Sequence, residues 1–318
     1  MSASQSMLRI GIDLGGTKTE ALALDPSGRE VCRKRVATPR GSYQEIVSAI
    51  VQLVAAVEAE CQGRGSIGLG IPGITSPATG LVKNANTTLL IGHPLDEDLA
   101  RALGRPVRVA NDANCFALSE ATDGAASPAV LGVERPTVFG VILGTGTGAG
   151  IVVGGQLLVG PDAIAGEWGH NSLPWPSAAE VRGPACWCGL SGCIETFLSG
   201  PALARAHRER TAQDWDATRI AGAAEAGDAE ALRSLDEYAG RLARALASII
   251  NVLNPDAIVL GGGVSNIARL YRQVPELWTR YVFSDVVTTR LFPARHGDSS
   301  GVRGAAWLWS GPSIPESR

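Results

Sequence analysis

Alternating apolar and polar positions open the chain. Leu8 to Ile12 carries the pattern of a buried strand, Gly15 and Gly16 make a tight turn, and Ala21 to Leu24 resumes as a second strand. A third strand is predicted over Glu30 to Ala37. From Tyr43 to Glu60 the period changes: Ile46, Ile50, Leu53, Val54 and Val57 recur at three- and four-residue steps, which predicts a helix. Ser66 to Ile71 reads as a strand stopped by Pro72-Gly73. Val107 to Ala110 reads as a short buried strand that runs into Asn111-Asp112 and then a helix over Ala113 to Ala121. Ala125 to Pro136 contains two prolines and reads as a loop.

The opening logic then recurs. TVFGVILGTGTGAGIVVGG, Thr137 to Gly155, is again an apolar strand, a Gly/Thr turn and an apolar strand. This is the nearest thing to an internal repeat, and it predicts two similar half-folds facing each other. Ala229 to Leu253 is predicted as a long amphipathic helix, with Leu232, Leu235, Ala239, Leu242, Leu246, Ile249 and Leu253 on one stripe and Pro255 ending it. Ala257 to Leu260 is a strand entering Gly261-Gly262-Gly263. The stretch HGDSSGVRGAAWLW ends in a short helix, and the residues after Trp309 are expected to fray.

Composition narrows the classes. A chain of 318 residues makes two ordinary domains or one large one, and 45% hydrophobic residues allow a well-buried core. A formal net charge of −3 with no Lys/Arg cluster argues against nucleic acid as a partner and gives no sign of an anionic membrane surface. No apolar run approaches the roughly 18 to 20 residues that span a bilayer. The start, MSASQSMLRI, lacks a signal-peptide pattern, so a cytoplasmic location is expected, where thiols stay reduced. Three of the six cysteines, Cys32, Cys61 and Cys115, are far apart and read as small buried hydrophobes.

Chemistry concentrates at the turns. Gly15–Thr19, Gly144–Gly148 and Gly261–Gly263 each follow a buried strand and expose backbone N–H groups suited to phosphate oxygens. None is a Walker or Rossmann loop. Gly15, Gly16, Thr17 and Lys18, then Gly144, Thr145 and Gly146, then Gly261, Gly262 and Gly263 are therefore candidate phosphate and nucleotide contacts. Asp13 precedes the first turn; it either caps the turn or handles Mg²⁺ beside phosphates. Asp112 reads as a helix N-cap, as a general base facing an attacking hydroxyl, or as both.

CWCGLSGC, Cys186 to Cys193, packs three cysteines into eight residues, downstream of His170 in GEWGH. His170, Cys186, Cys188 and Cys193 supply four N/S ligands, the usual number for structural zinc. No CxxC is present, and one disulfide within the cluster would leave an odd thiol, so zinc is the reading carried forward.

In order, DLGGTK, NDAN, LGTGTGAG, GEWGH, CWCGLSGCIE and VLGGGVSN resemble the ROK family of repressors, open reading frames and sugar kinases, from about Leu8 to Trp309. The resemblance implies an α/β fold of the two-lobed actin/hexokinase-like (ribonuclease H-like) type, with mixed sheets flanked by helices. It implies one lobe over 8–120, completed by a C-terminal helix at 300–310, and a second over 121–299 with a zinc loop at 166–195. It implies Asp112 as catalytic base, and Asn111, Glu167, His170 and Glu195 as sugar-hydroxyl ligands. His170 with the three cysteines would form the zinc site, and Gly261–Gly263 would lie near adenosine. ATP, Mg²⁺ and structural Zn²⁺ follow as cofactors, a hexose as small-molecule partner, and a homodimer as assembly. TPRGSY, the KNAN stretch after PGITSP and PLDEDLA resemble fructokinases of the manno(fructo)kinase type, so fructose phosphorylated at C6 is the expected reaction, with N-acetylglucosamine as the alternative. The insert LPWPSAAEVRGPA and the NANTTLLIG stretch depart from the glucokinase pattern. A repressor is not expected, because only seven residues precede Leu8.

Overall fold

The computed structural model describes residues 8–309, so the tail expected to fray beyond Trp309 lies outside them. The first sheet holds β1 (Leu8–Leu14), β2 (Lys18–Leu24), β3 (Glu30–Ala37), β4 (Gly65–Ile71) and β7 (Val107–Asn111), in the order β3-β2-β1-β4-β7. A small hairpin, β5 (Ile74–Thr75) and β6 (Val82–Lys83), lies between β4 and β7 in sequence. The second sheet holds β8 (Val138–Leu143), β9 (Thr147–Val153), β10 (Gln156–Leu157), β11 (Ala257–Gly261) and β12 (Arg290–Pro293), in the order β10-β9-β8-β11-β12. Both sheets pair identically: antiparallel across the first three strands in sequence, then parallel for the last two. The repeat predicted from the two strand–turn–strand segments is thus a repeat of whole sheets.

The helices are α1 (Tyr43–Cys61), α2 (Leu95–Leu103), α3 (Asp112–Thr122), α4 (Pro128–Leu131), α5 (Glu195–Leu198), α6 (Gly200–Thr211), α7 (Ala217–Glu225), α8 (Ala229–Leu253), α9 (Leu270–Trp278) and α10 (Ser300–Trp307). None is long and apolar enough to cross a membrane among the described residues. Local chemistry sets their ends. The Ser42 hydroxyl accepts the Glu45 N–H to start α1, and the Asp228 carboxylate accepts the Ala231 N–H to start α8. Asn254 closes α8 in the left-handed region, and Pro255 follows. The expected loop over Ala125 to Pro136 contains α4, because Pro128 sits at its first turn, where no N–H is needed, and Gly132 closes it.

Each fifth strand hands the chain to a helix that packs on the opposite sheet. α3 follows β7 but lies against β8 and β9; α10 follows β12 but lies against β1 and β4; and the two helices pack on each other. One apolar core accordingly spans both halves, joining Leu22, Leu24, Phe116, Val138, Val259 and Val302. Separate cores lie under α1 and α2 and under α8 and α9. A polar pin completes the crossing. The Glu120 carboxylate, wholly buried at the end of α3, accepts the Ser300 hydroxyl at 2.7 Å and the Ala125 and Arg295 N–H groups at 2.8 and 3.1 Å.

Contact this close needs glycine. A methyl group on Gly304 would stand 1.7 Å from the Cys115 carbonyl oxygen, and one on Gly11 would stand 2.0 Å from that of Val302. Both obstacles are backbone and cannot rotate away. Gly304→Ala is expected to cost at least about 3 kcal/mol and to lower Tm by about 6 °C or more. A thermal melt checks this; an unchanged Tm would mean that α10 is not seated as described.

Candidate active site

The site is built where the chain leaves strands. β7 ends at Asn111, and its side chain, not that of Asp112, is the N-cap of α3: Asn111 Oδ1 accepts the Ala113 N–H at 2.9 Å, and its amide donates to the Gly73 carbonyl at 3.3 Å. Asp112 takes the first helical position and shares the Ala113 N–H at 2.8 Å. Burial pushes its carboxyl up from 3.8 to about 6. The Ala113 N–H opposes the rise and the charge of Glu167 adds to it. Asp13, at the end of β1, is also pushed up to about 6, first by burial and then by Asp112 and Glu20, with Lys18 opposing. Asp112 thus stands in electrostatic reach of both Asp13 and Glu167.

The first glycine turn is held by Thr38, whose hydroxyl donates to the Gly15 carbonyl at 2.7 Å and whose N–H donates to that of Thr17 at 3.1 Å. Lys18 starts β2 with an exposed side chain, and Gly16 and Thr17 are also exposed. In the second turn the Gly144 N–H bonds the Gly146 carbonyl at 3.0 Å, and the Gly144 carbonyl accepts the Gly200 N–H at 2.8 Å; Thr145 is exposed. The third turn divides. A methyl on Gly261 would strike the Phe116 ring at 2.5 Å, and one on Gly262, at φ +81°, would strike the Leu143 carbonyl at 2.5 Å, whereas Gly263 faces open space. Gly261 and Gly262 are therefore needed for packing, and only Gly263 presents an unobstructed face. Gly262 also brings this turn against the end of β8, beside the second turn.

Glu167 to His170 forms one turn of 3₁₀ helix laid on β9; methyl groups on Gly166 and Gly169 would stand 2.3 and 2.1 Å from the Ala149 and Thr147 carbonyl oxygens. Buried Trp168 anchors the turn edge-on to Phe139, ring centroids 5.6 Å apart. Glu195 opens α5. Its Oε2 accepts the Thr147 N–H at 2.9 Å, and its Oε1 accepts the Trp187 indole N–H at 2.8 Å. The donors on Thr147 and Trp187 were not singled out in the sequence, although both residues lie inside quoted motifs. A methyl on Gly146 would come within 2.7 Å of Glu195 Oε2, so the second glycine turn and this carboxylate are in contact.

His170, Cys186, Cys188 and Cys193 converge: their ligand atoms all lie within 4.8 Å of one another. Cys186 Sγ is 3.6 Å from His170 Nδ1, and Cys188 Sγ is 3.6 Å from Cys193 Sγ. That sulfur separation is far beyond a disulfide bond of about 2.05 Å. It is close to the roughly 3.8 Å edge of a tetrahedron with metal–sulfur bonds of about 2.3 Å. Three thiols and an imidazole at these spacings fit zinc. Asp13, at the end of β1 just before the first glycine turn, offers the hard oxygen donor that Mg²⁺ prefers. Cys32 and Cys115 are buried and Cys61 is half-buried, away from the cluster.

The ROK family profile matches residues 9–311. N-acetyl-D-glucosamine kinases from Yersinia enterocolitica and Escherichia coli are 37% and 40% identical over 302 and 304 residues, covering 94% of this chain and 98% of each relative. The ROK hexokinase from Thermus thermophilus superposes with a TM-score of 0.82 at 33% identity, covering 94% of this chain and 97% of that one. The ROK family glucokinase from Streptomyces griseus, solved with glucose and AMPPNP, superposes with a TM-score of 0.74 at 29% identity, covering 95% and 98%. With the hexokinase-like fold, the glycine turns and the cysteine cluster spread over the whole matched length, the chain belongs to the ROK family and is one of its sugar kinases.

Proposed function

We propose that the protein transfers the γ-phosphoryl group of ATP to the C6 hydroxyl of N-acetyl-D-glucosamine. The observation that carries the sugar is that N-acetyl-D-glucosamine kinases align at 37% to 40% identity over 94% of the chain. Fructose, expected from the KNAN stretch, becomes the second reading, since those relatives favour the N-acetylhexosamine.

Asp112 accepts the proton of the attacking hydroxyl. Its placement at the edge of α3 and its carboxyl poised near 6 leave it ionised at neutral pH but basic enough to act. Asn111, Glu167, His170 and Glu195 bind the other hydroxyls. Glu195 is held for this by one N–H on each oxygen, and His170 turns Nδ1 to the cysteines, which leaves Nε2 for the sugar. Backbone N–H groups at Gly15–Lys18 and Gly144–Gly146 take phosphate oxygens, with Gly261–Gly263 nearer the adenosine. Asp13 would hold Mg²⁺ directly or through water, and that ion would supply charge neutralisation at the phosphates. His170 and the three cysteines would hold a structural zinc with no open position, whose contribution is rigidity. Closure of the half built on the first sheet with α10 onto the half built on the second sheet with α3, rather than the division at residue 120, would exclude water. A homodimer is expected from family membership.

The test incubates the protein with ATP, Mg²⁺ and N-acetylglucosamine and identifies the products by NMR. One ADP per N-acetylglucosamine 6-phosphate is expected; ADP release without sugar phosphate would overturn the reading. Gly146→Ala adds a second check: a methyl 2.7 Å from Glu195 Oε2 should displace that carboxylate and raise the sugar KM by about tenfold.

A further inference from the structure

Trp187 is 73% exposed, so little of its large apolar surface is spent on folding. The contacts it does make are specific. Its indole N–H donates to Glu195 Oε1 at 2.8 Å, and its ring meets the edge of His170, centroids 4.9 Å apart and planes at 86°. Both contacts are to residues assigned above to the sugar. Its backbone is fixed from both sides, because Cys186 and Cys188 flank it in the cluster. The strand-like pairing of Ala185 with Ser191 and the Cys186 N–H to Leu190 carbonyl bond at 2.8 Å close the loop beneath it. Of the positions in this loop, this one holds a flat aromatic surface rigidly beside the site.

We infer that Trp187 is a sugar-positioning residue, its N–H setting the orientation of Glu195 and its exposed indole face covering the apolar C–H face of the bound hexosamine. The chemistry suits both tasks. A carboxylate oxygen that already accepts one N–H keeps a lone pair for a hydroxyl, and with Thr147 on the other oxygen the group has one orientation. An indole joins a polar handle to a large flat apolar body, as recognition of a ring with hydroxyl edges and C–H faces requires. Trp187 thus touches both ends of the cysteine segment, His170 and Glu195.

The inference rests on the sugar-site assignment above but not on which sugar is preferred. Its test is therefore run with whichever hexose or N-acetylhexosamine the wild-type protein turns over best. Trp187→Phe keeps a ring and loses the N–H; Trp187→Ala loses both. Loss of a hydrogen bond to a charged group predicts a sugar KM about tenfold higher in Trp187→Phe, and higher still in Trp187→Ala. In both variants kcat should stay within about threefold, and the KM for ATP, the zinc content and Tm should not change. A second readout needs no turnover: sugar should protect the fraction of tryptophan fluorescence lost in Trp187→Phe from acrylamide quenching. Sugar KM values within about twofold of wild type in both variants would overturn the inference. A KM change confined to Trp187→Ala and accompanied by zinc loss would overturn it too, because Trp187 would then only support the loop. If N-acetylglucosamine proves a poor substrate, the proposed function falls while the Trp187 comparison stands on the preferred sugar.

Discussion

Asp112→Asn is expected to lower kcat by about a thousandfold while sugar affinity stays within about threefold. The size of the effect follows from the position. Asn is close to Asp in shape, can share the Ala113 N–H as Asp112 does, and leaves the cap on Asn111 in place, so α3 should keep its start. An amide can still hydrogen-bond the hydroxyl but cannot take its proton. Steady-state kinetics with calorimetric sugar binding separates the two; a kcat within about tenfold of wild type would remove Asp112 as the base. Two pH effects accompany this. Above about 6 the wild-type base is ionised, so kcat/KM should fall as pH drops below that value, along a limb shared with Asp13, which burial places in the same range. Stability runs the other way. Folding raises the Asp112 pKa above 3.8, so the folded state binds the proton more tightly, and the stability this brings at low pH is lost as pH rises through about 6. Asp112→Asn should therefore melt higher than wild type at pH 7.5, and the gap should close near pH 4.

Cys188→Ser is expected to release zinc and raise the sugar KM by at least about tenfold, with the KM for ATP much less affected. Cys188 is the exposed ligand, so its replacement buries no new polar group and disturbs no core. The middle of the segment is anchored to α8 by Glu180, paired with Arg241 and Arg244, but its cysteine-bearing end is tied by little without the ion. Leu173 and Ile194 N–H groups bond to Gly192 and Asn171 carbonyls at 3.0 and 2.8 Å, and the loop from Cys186 to Leu190 closes on itself. Those few hydrogen bonds contribute about 1 kcal/mol each, whereas a four-ligand zinc site contributes on the order of 10 kcal/mol to the structure that it organises. Glu167 lies three residues before His170 and Glu195 two after Cys193, so freedom in this segment moves both carboxylates proposed to bind the sugar. Zinc stoichiometry and sugar KM on the same preparation decide the matter; full occupancy with unchanged KM would take Cys188 out of the site.

The pattern of the chain carried some of this structure further than the rest. β3 and α8 run where the spacing placed them, from Glu30 to Ala37 and from Ala229 to Leu253, because a clear period and clear stops coincide there. α2, α6, α7 and α9 span only 9 to 12 residues each, too few turns for the helical period to stand out from the loops around them. The exchange of α3 and α10 between sheets was equally hidden: periodicity shows which face of a helix is apolar but not which sheet it covers. At the site, adjacency in sequence identified Asn111-Asp112 but assigned the cap to the wrong partner of the pair. A one-residue difference in helix start decides that, and no pattern resolves it. Gly261 and Gly262 carry a second requirement that the pattern does not show: a Cβ on either would strike the Phe116 ring or the Leu143 carbonyl. Trp187 sat in plain view between two cysteines, yet its bond to Glu195 exists only once the loop has curled.

The account stands most directly on one ratio, that of kcat/KM for N-acetylglucosamine to kcat/KM for fructose, measured with ATP and Mg²⁺ on the zinc-loaded protein. With N-acetylglucosamine as the substrate, the ratio should favour it by at least about a hundredfold. A ratio below one would contradict the proposed function and return fructose as the substrate.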